Sequence, residues 1–425
     1  MKERRVTLSL KRLRSGIAVL LLFFLPTQLS YHFWPEYALV YGIRVDYLSP
    51  TLYFTDILAI LYVVVSIFIH KIKIKLHWLL LTLLLILLFI AYSSLPWVTI
   101  LSLWRIILIL GLLRCFIEER NLEEKVALSL SIGGVFTFFL ATAQVIRGAT
   151  IGGFLYWFGE RSFSIITPGI ALARFGESIF LRPYATFPHP NALAGYTLIS
   201  FFIVLFYKRK VLLHYIGLCA LFATIILSWS QAAWIALGVA ILCILIPALR
   251  SKRVLVGMFF IYLLASVGLP LAATKLLTTD FPSQISERLS LAVVAGHMIS
   301  DYPIVGVGIG SFVAQVPDTW VNSPLLPMPY VWNLQPVHNV VLLILSEAGI
   351  LGFFLLTVLG LWVVSQIKVT KFVATLFWSL VITSFLDHYW LTLQQPKLIL
   401  VLSLSILLQK RSVLKKRKLR YNAQR

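Results

Sequence analysis

Apolar runs of about 18 or more residues recur along the chain. A run of that length crosses the roughly 30 Å hydrocarbon layer of a bilayer as one helix. In lipid only helices and closed barrels satisfy every backbone N–H and C=O internally. A barrel reads as segments of about ten residues with alternating polarity, and no such alternation occurs. With 60% of its 425 residues hydrophobic and 12% charged, the chain is expected to be an all-α polytopic membrane protein. The runs fall at 15–33, 51–70, 76–92, 97–116, 126–146, 192–207, 211–229, 232–249, 254–272, 338–367, 372–388 and 397–409, which predicts about twelve transmembrane helices.

The net charge is +21. In a soluble protein this would suggest nucleic acid, but here the bases flank apolar runs and report topology. Of 37 Lys and Arg, 28 fall in segments assigned to the cytoplasm, among them residues 1–14, 208–210, 250–253 and the tail from Lys410. Twelve alternating spans with both termini cytoplasmic satisfy every basic cluster. The basic start followed by an apolar run resembles a signal peptide. Tyr31-His32-Phe33-Trp34 follows in place of small residues, so the run is read as an uncleaved first span. One integral membrane domain covers 1–425, with external loops at 147–191 and 273–337, the larger lying between spans nine and ten. Cys115, Cys219 and Cys243 sit in apolar runs, without disulfide or zinc spacing.

Nine bases remain outside the cytoplasmic set: Arg44, Arg105, Arg147, Arg161, Arg174, Arg182, Lys275, Arg288 and Lys397. Arginine offers a planar fork of donors suited to phosphate. Arg182 opens Arg182-Pro-Tyr184-Ala-Thr186-Phe187-Pro188-His189-Pro190-Asn191. Its prolines keep the backbone non-helical and open to a ligand, while Asn191 is placed to cap the next span. Arg288 begins an external helix expected over about 284–300, and Gly306-Val-Gly308-Ile-Gly310 follows it as a tight turn. His338-Asn339 opens the tenth span, where an imidazole meets both water and a lipid-borne substrate; Glu347-Ala348-Gly349 is placed to break or tilt that span. Arg105 lies within a span and needs a partner or substrate, with Asp56 and Glu347 the available acids. No Asp-x-Asp pair lies outside, no Gly-x-Ser-x-Gly elbow occurs, and no His/Cys spacing suggests a metal.

Three segments resemble the bacterial O-antigen ligase and polymerase family. These are Arg182 to Asn191, Arg288 to Phe312, and His338-Asn339 followed by Gly349-x2-Gly352, with Glu347 before the glycine. Ser230-Gln231 departs from the Ser-Arg that relatives often carry, so no role of that arginine transfers. The resemblance implies a GT-C-like fold in the bacterial cytoplasmic (inner) membrane. It implies a glycosyltransferase of polysaccharide or lipopolysaccharide biosynthesis in the cell envelope, with the active site on the periplasmic face. The donor would be a polyprenyl-diphosphate-linked glycan, and the acceptor a hydroxyl of lipid A-core sugar, of another carrier-linked glycan or of a Ser/Thr side chain. Neither metal nor cofactor is implied. The expected catalytic residues are His338, Arg288 and Arg182, with Arg105, Tyr184, Thr186, Asn191 and Asn339 binding substrate. A polysaccharide-lipid flippase or other multi-pass transporter is the alternative; its repeated halves are not found here.

Overall fold

The computed structural model describes residues 2–69, 76–277, 283–323, 326 and 331–423. Every apolar run carries a helix. In order these are α1 (Lys2–Phe23), α2 (Phe54–Ile69), α3 (Leu76–Ala91), α4 (Pro96–Phe116), α5 (Leu122–Arg147), α6 (Pro190–Phe206), α7 (Leu212–Leu227), α8 (Gln231–Leu245) and α9 (Lys252–Leu276). The helices α10 (Ser283–Asp301) and α11 (Phe312–Val321) follow, then α12 (Val340–Gln366), α13 (Lys371–Leu386), the short α14 (Tyr389–Thr392) and α15 (Gln394–Ala423). Among the described residues α4, α5, α9 and α12 are long and apolar enough to cross a membrane, and α2, α3, α6, α7, α8 and α13 are shorter apolar helices. The whole is a polytopic helical membrane protein. Helix α1 stops at Phe23, short of the expected 33, because Pro26 lacks a helical donor and drives the preceding residue out of the α region.

Burial is concentrated in one large apolar cluster joining α1, α2, α4 to α8 and α13 to α15. Helices approach closely where side chains are small. A Cβ at Gly217 of α7 would fall against the backbone of Ser131 in α5, and one at Gly195 of α6 would meet the Tyr389 ring. Such contacts drive helix association where lipid supplies no hydrophobic force. At the other end of α1, buried Glu119 ties three segments together. Arg14 Nε lies 3.2 Å away and Lys125 Nζ 2.6 Å away, and the Tyr62 hydroxyl donates at 3.0 Å.

A second buried cluster holds the 273–337 segment. The external helix expected there is α10, and its Leu291 to Ala295 stretch is buried. Its Arg288 end faces α13 and the start of α12. Residues 278–282, 324–325 and 327–330 of that loop lie outside the described residues.

The expected break of the tenth span is present. Gly349 has φ 60° and ψ −162° within α12, and the 303–308 segment is seated there. Val307 and Gly308 N–H donate to Ser346 and Glu347 carbonyls, while Ile350 and Leu351 N–H donate to Pro303 and Ile304 carbonyls. The expected glycine turn is thus hydrogen-bonded into a helix. Its other side packs on the start of α4, where Ser94 donates to Val307 O and Thr99 to Ile309 O.

Candidate functional site

Above α6, α8, α10, α12 and α13 lies a cavity of about 810 Å³. Arg182, Asn191, Arg288, His338 and Asn339 all line it. These five of the eight expected site residues therefore converge from the three separate segments.

Each cation is anchored on the protein yet keeps donors. Arg182 Nε donates to Ser228 O at 3.0 Å and Nη2 to Asn191 Oδ1 at 2.7 Å. Arg288 Nη1 donates to Leu386 O at 2.9 Å. A guanidinium carries five N–H groups, so each arginine retains donors for an anion. Burial lowers Arg182 to about 10, with Arg288 pushing the same way and Asp387 opposing; it stays charged at neutral pH. The carboxylate of the neighbouring Glu287 accepts from Gln335 (2.9 Å) and Asn333 (3.3 Å).

The residue that sequence reading missed is Asp387, just past the end of α13. Its Oδ1 lies 3.6 Å from His338 Nδ1 and accepts from its neighbour's backbone, His388 N, at 2.8 Å. Its Oδ2 accepts from Asn191 Nδ2 at 2.8 Å. A polar chain thus runs Arg182, Asn191, Asp387, His338. Burial opposes ionisation of Asp387, but the adjacent His338 and the Arg288 guanidinium outweigh it. They hold the carboxyl well below the usual range. His388 lies beside His338, ring centroids 5.2 Å apart and planes tilted by 46°, and burial lowers it to about 3, so it is neutral.

The other expected residues hold the frame. Asn191 was expected to cap α6. The cap is His189, whose Nδ1 accepts from Asn191 N at 3.1 Å, and this leaves the Asn191 amide to bridge Arg182 and Asp387. Asn339 lines the cavity, but its Oδ1 caps α12 by accepting from Val341 and Leu342 N–H, and its Nδ2 donates to Ser266 and Phe385. Tyr184 and Thr186 do not line the cavity. Tyr184 Oη accepts from Ala171 N (2.9 Å), and Thr186 Oγ1 donates to Pro26 O. Gln144 fixes this non-helical segment, its Oε1 accepting from Tyr184 and Ala185 N–H and its Nε2 donating to Ala185 O. Arg105 also lies off the cavity. Its Nη2 donates to Thr51 O at 2.6 Å, and Asp56 accepts from Gln394 Nε2 instead.

His338, Asp387 and His388 offer one ligand atom each, all within 4.8 Å of one another. Nitrogen–oxygen–nitrogen sets of this kind can take a divalent ion. The nearby Arg288 guanidinium, which donates to the adjoining Leu386 carbonyl, opposes a second cation there by charge.

Residues 216–357 match the protein family described as O-antigen ligase, which bears out the likeness read from the motifs. The matched stretch runs from within α7 into α12 and contains Arg288, His338 and Gly349. Arg182 and Asp387 lie beyond it. No curated protein matches the chain.

Proposed function

We propose that this protein moves a glycan from a polyprenyl-diphosphate carrier to an acceptor hydroxyl. In this reading it crosses the bacterial cytoplasmic membrane twelve times, with both termini cytoplasmic and the cavity at the outer face. The observation that carries the reading is the cavity shared by Arg182, Arg288 and His338, in a chain whose 216–357 stretch is similar to O-antigen ligases.

The diphosphate sits against Arg182 and Arg288. The His338 imidazole takes the proton of the acceptor hydroxyl, whose oxygen attacks the anomeric carbon. The bond from that carbon to the diphosphate oxygen breaks, and the carrier leaves as polyprenyl diphosphate, its negative charge met by both guanidiniums. Asp387 orients the imidazole and stabilises its protonated form. Its 3.6 Å separation shortens once His338 is charged. A single displacement of this kind inverts the anomeric centre.

The test is transfer from a defined polyprenyl-diphosphate glycan by the purified protein, offered each acceptor class. Arg288→Ala is expected to lower turnover on the order of 10²–10³-fold, as losing a fixed donor to developing charge does, while its thermal unfolding stays that of wild type. Full turnover by that variant removes the arginine clamp. Chelation with EDTA is expected to leave the rate unchanged; a loss restored by added divalent ion would assign His338, Asp387 and His388 to a metal. Carrier scrambling in proteoliposomes, without transfer to any acceptor, would turn the reading to a flippase.

A further inference from the structure

Trp229, in the turn between α7 and α8, has φ 52°. Few bulky residues occupy this left-handed region, and strain of this kind gathers at functional sites. Glycine would adopt the conformation freely, yet a tryptophan stands here, and it lines the cavity. Its ring is 5.7 Å from Trp234 and 6.3 Å from Phe175. Trp234 is itself fixed, its Nε1 donating to Ile225 O at 3.0 Å.

Polar groups surround this aromatic wall. Gln231 opens α8, and Arg174 lies on β5 (Leu172–Phe175), which pairs with β6 (Ser178–Leu181). Both residues line the same cavity, and neither side chain is bonded to another described residue. The wall also adjoins the anion clamp, because Arg182 Nε holds the carbonyl of Ser228, one residue before Trp229. A group attached directly to a bound diphosphate therefore reaches Trp229 first. Leu269, Ile285 and Leu289 also line the cavity, and these apolar side chains suit the lipid.

We infer that Trp229, with Gln231 and Arg174, forms the subsite for the carrier-proximal sugar of the donor. A pyranose has an apolar C–H face for the electron-rich face of an indole and a rim of hydroxyls for an amide and a guanidinium. This inference rests on the glycan-transfer reading. Trp229→Gly relieves the backbone while removing the ring, so it keeps the fold; Trp229→Phe keeps a stacking face. Donor KM is expected to rise about tenfold in the glycine variant and to recover with phenylalanine. Competition by polyprenyl diphosphate carrying no sugar is expected to be unchanged in both. Wild-type KM in Trp229→Gly, or equal weakening of the sugar-bearing and sugar-free carriers, overturns the subsite and leaves glycan transfer standing. Absence of any transfer by the wild-type protein takes down both.

Discussion

At the residue scale the site turns on Asp387. An isolated carboxylate is costly to bury, and Asp387 is only 3% exposed. It stays ionised because Asn191 and the His388 backbone N–H donate to it and His338 and the Arg288 guanidinium lie beside it. Asp387→Asn keeps the size and loses the charge, so the imidazolium formed during proton transfer is left unbalanced. Turnover is expected to fall on the order of 10²–10⁴-fold, the usual contribution of general acid–base catalysis, with donor KM little changed. Steady-state kinetics on the folded variant check this, and a fall confined to KM would assign Asp387 to binding instead. Arg182, Arg288 and His338 were legible in the sequence because loops and helix mouths expose them amid apolar runs. Asp387-His388 was not, because it closes an apolar run and reads as the last residues of a span. The readable signal was two adjacent ionisable residues at the C-terminal end of that run, beside which Arg288 and His338 also gather. Asn191 was legible as a helix-start residue, yet no local pattern could tell that His189 would take the cap.

At the element scale the decisive feature is the seam where 303–308 enters the break in α12. Gly349 must be glycine twice over. Its φ of +60° strains any side chain, and a Cβ there would fall on the carbonyl of Ile304. Gly306 is its counterpart, facing the Glu347 carbonyl at φ +71°. Gly349→Ala is expected to destabilise by at least about 2 kcal/mol, from backbone strain alone, and to displace His338 through the first turns of α12. Gly238, in the middle of α8 with nothing within 4 Å of its absent Cβ, is the control. Gly238→Ala should be neutral or stabilising, since alanine is the better helix former. Thermal unfolding in detergent compares the two, and equal midpoints would mean the seam does not hold the helix. The glycine pattern and the long tenth run announced a break. What they could not announce was the partner, because hydrogen bonds between residues about forty positions apart follow from the bundle's packing and not from local periodicity.

At the scale of the whole molecule, two histidines couple stability to pH. His388 is buried and His189 half-buried, and desolvation lowers each to about 3 from an ordinary 6.5. Both lie outside the spans, His189 capping α6 and His388 following α13. Between pH 6.5 and about 3 the unfolded chain binds protons that the folded one refuses, so stability rises with pH across that window. Their contribution is fully present above pH 6.5 and is lost as pH falls toward 3. Asp387 acts in the same direction but lower. Its folded value lies below the usual carboxylate range, so its stabilisation is present above about pH 4 and is lost beneath it. The unfolding midpoint in detergent is therefore expected to decline steadily from pH 7 to pH 4, with the histidines setting the slope. His189→Asn supplies the discriminating variant. Asparagine caps helices well and can accept the same Asn191 N–H, so the fold is kept while one titration is removed. Its profile should run flatter than wild type and meet it near neutrality. Parallel profiles would place the acid sensitivity elsewhere, and these two histidines would no longer account for it.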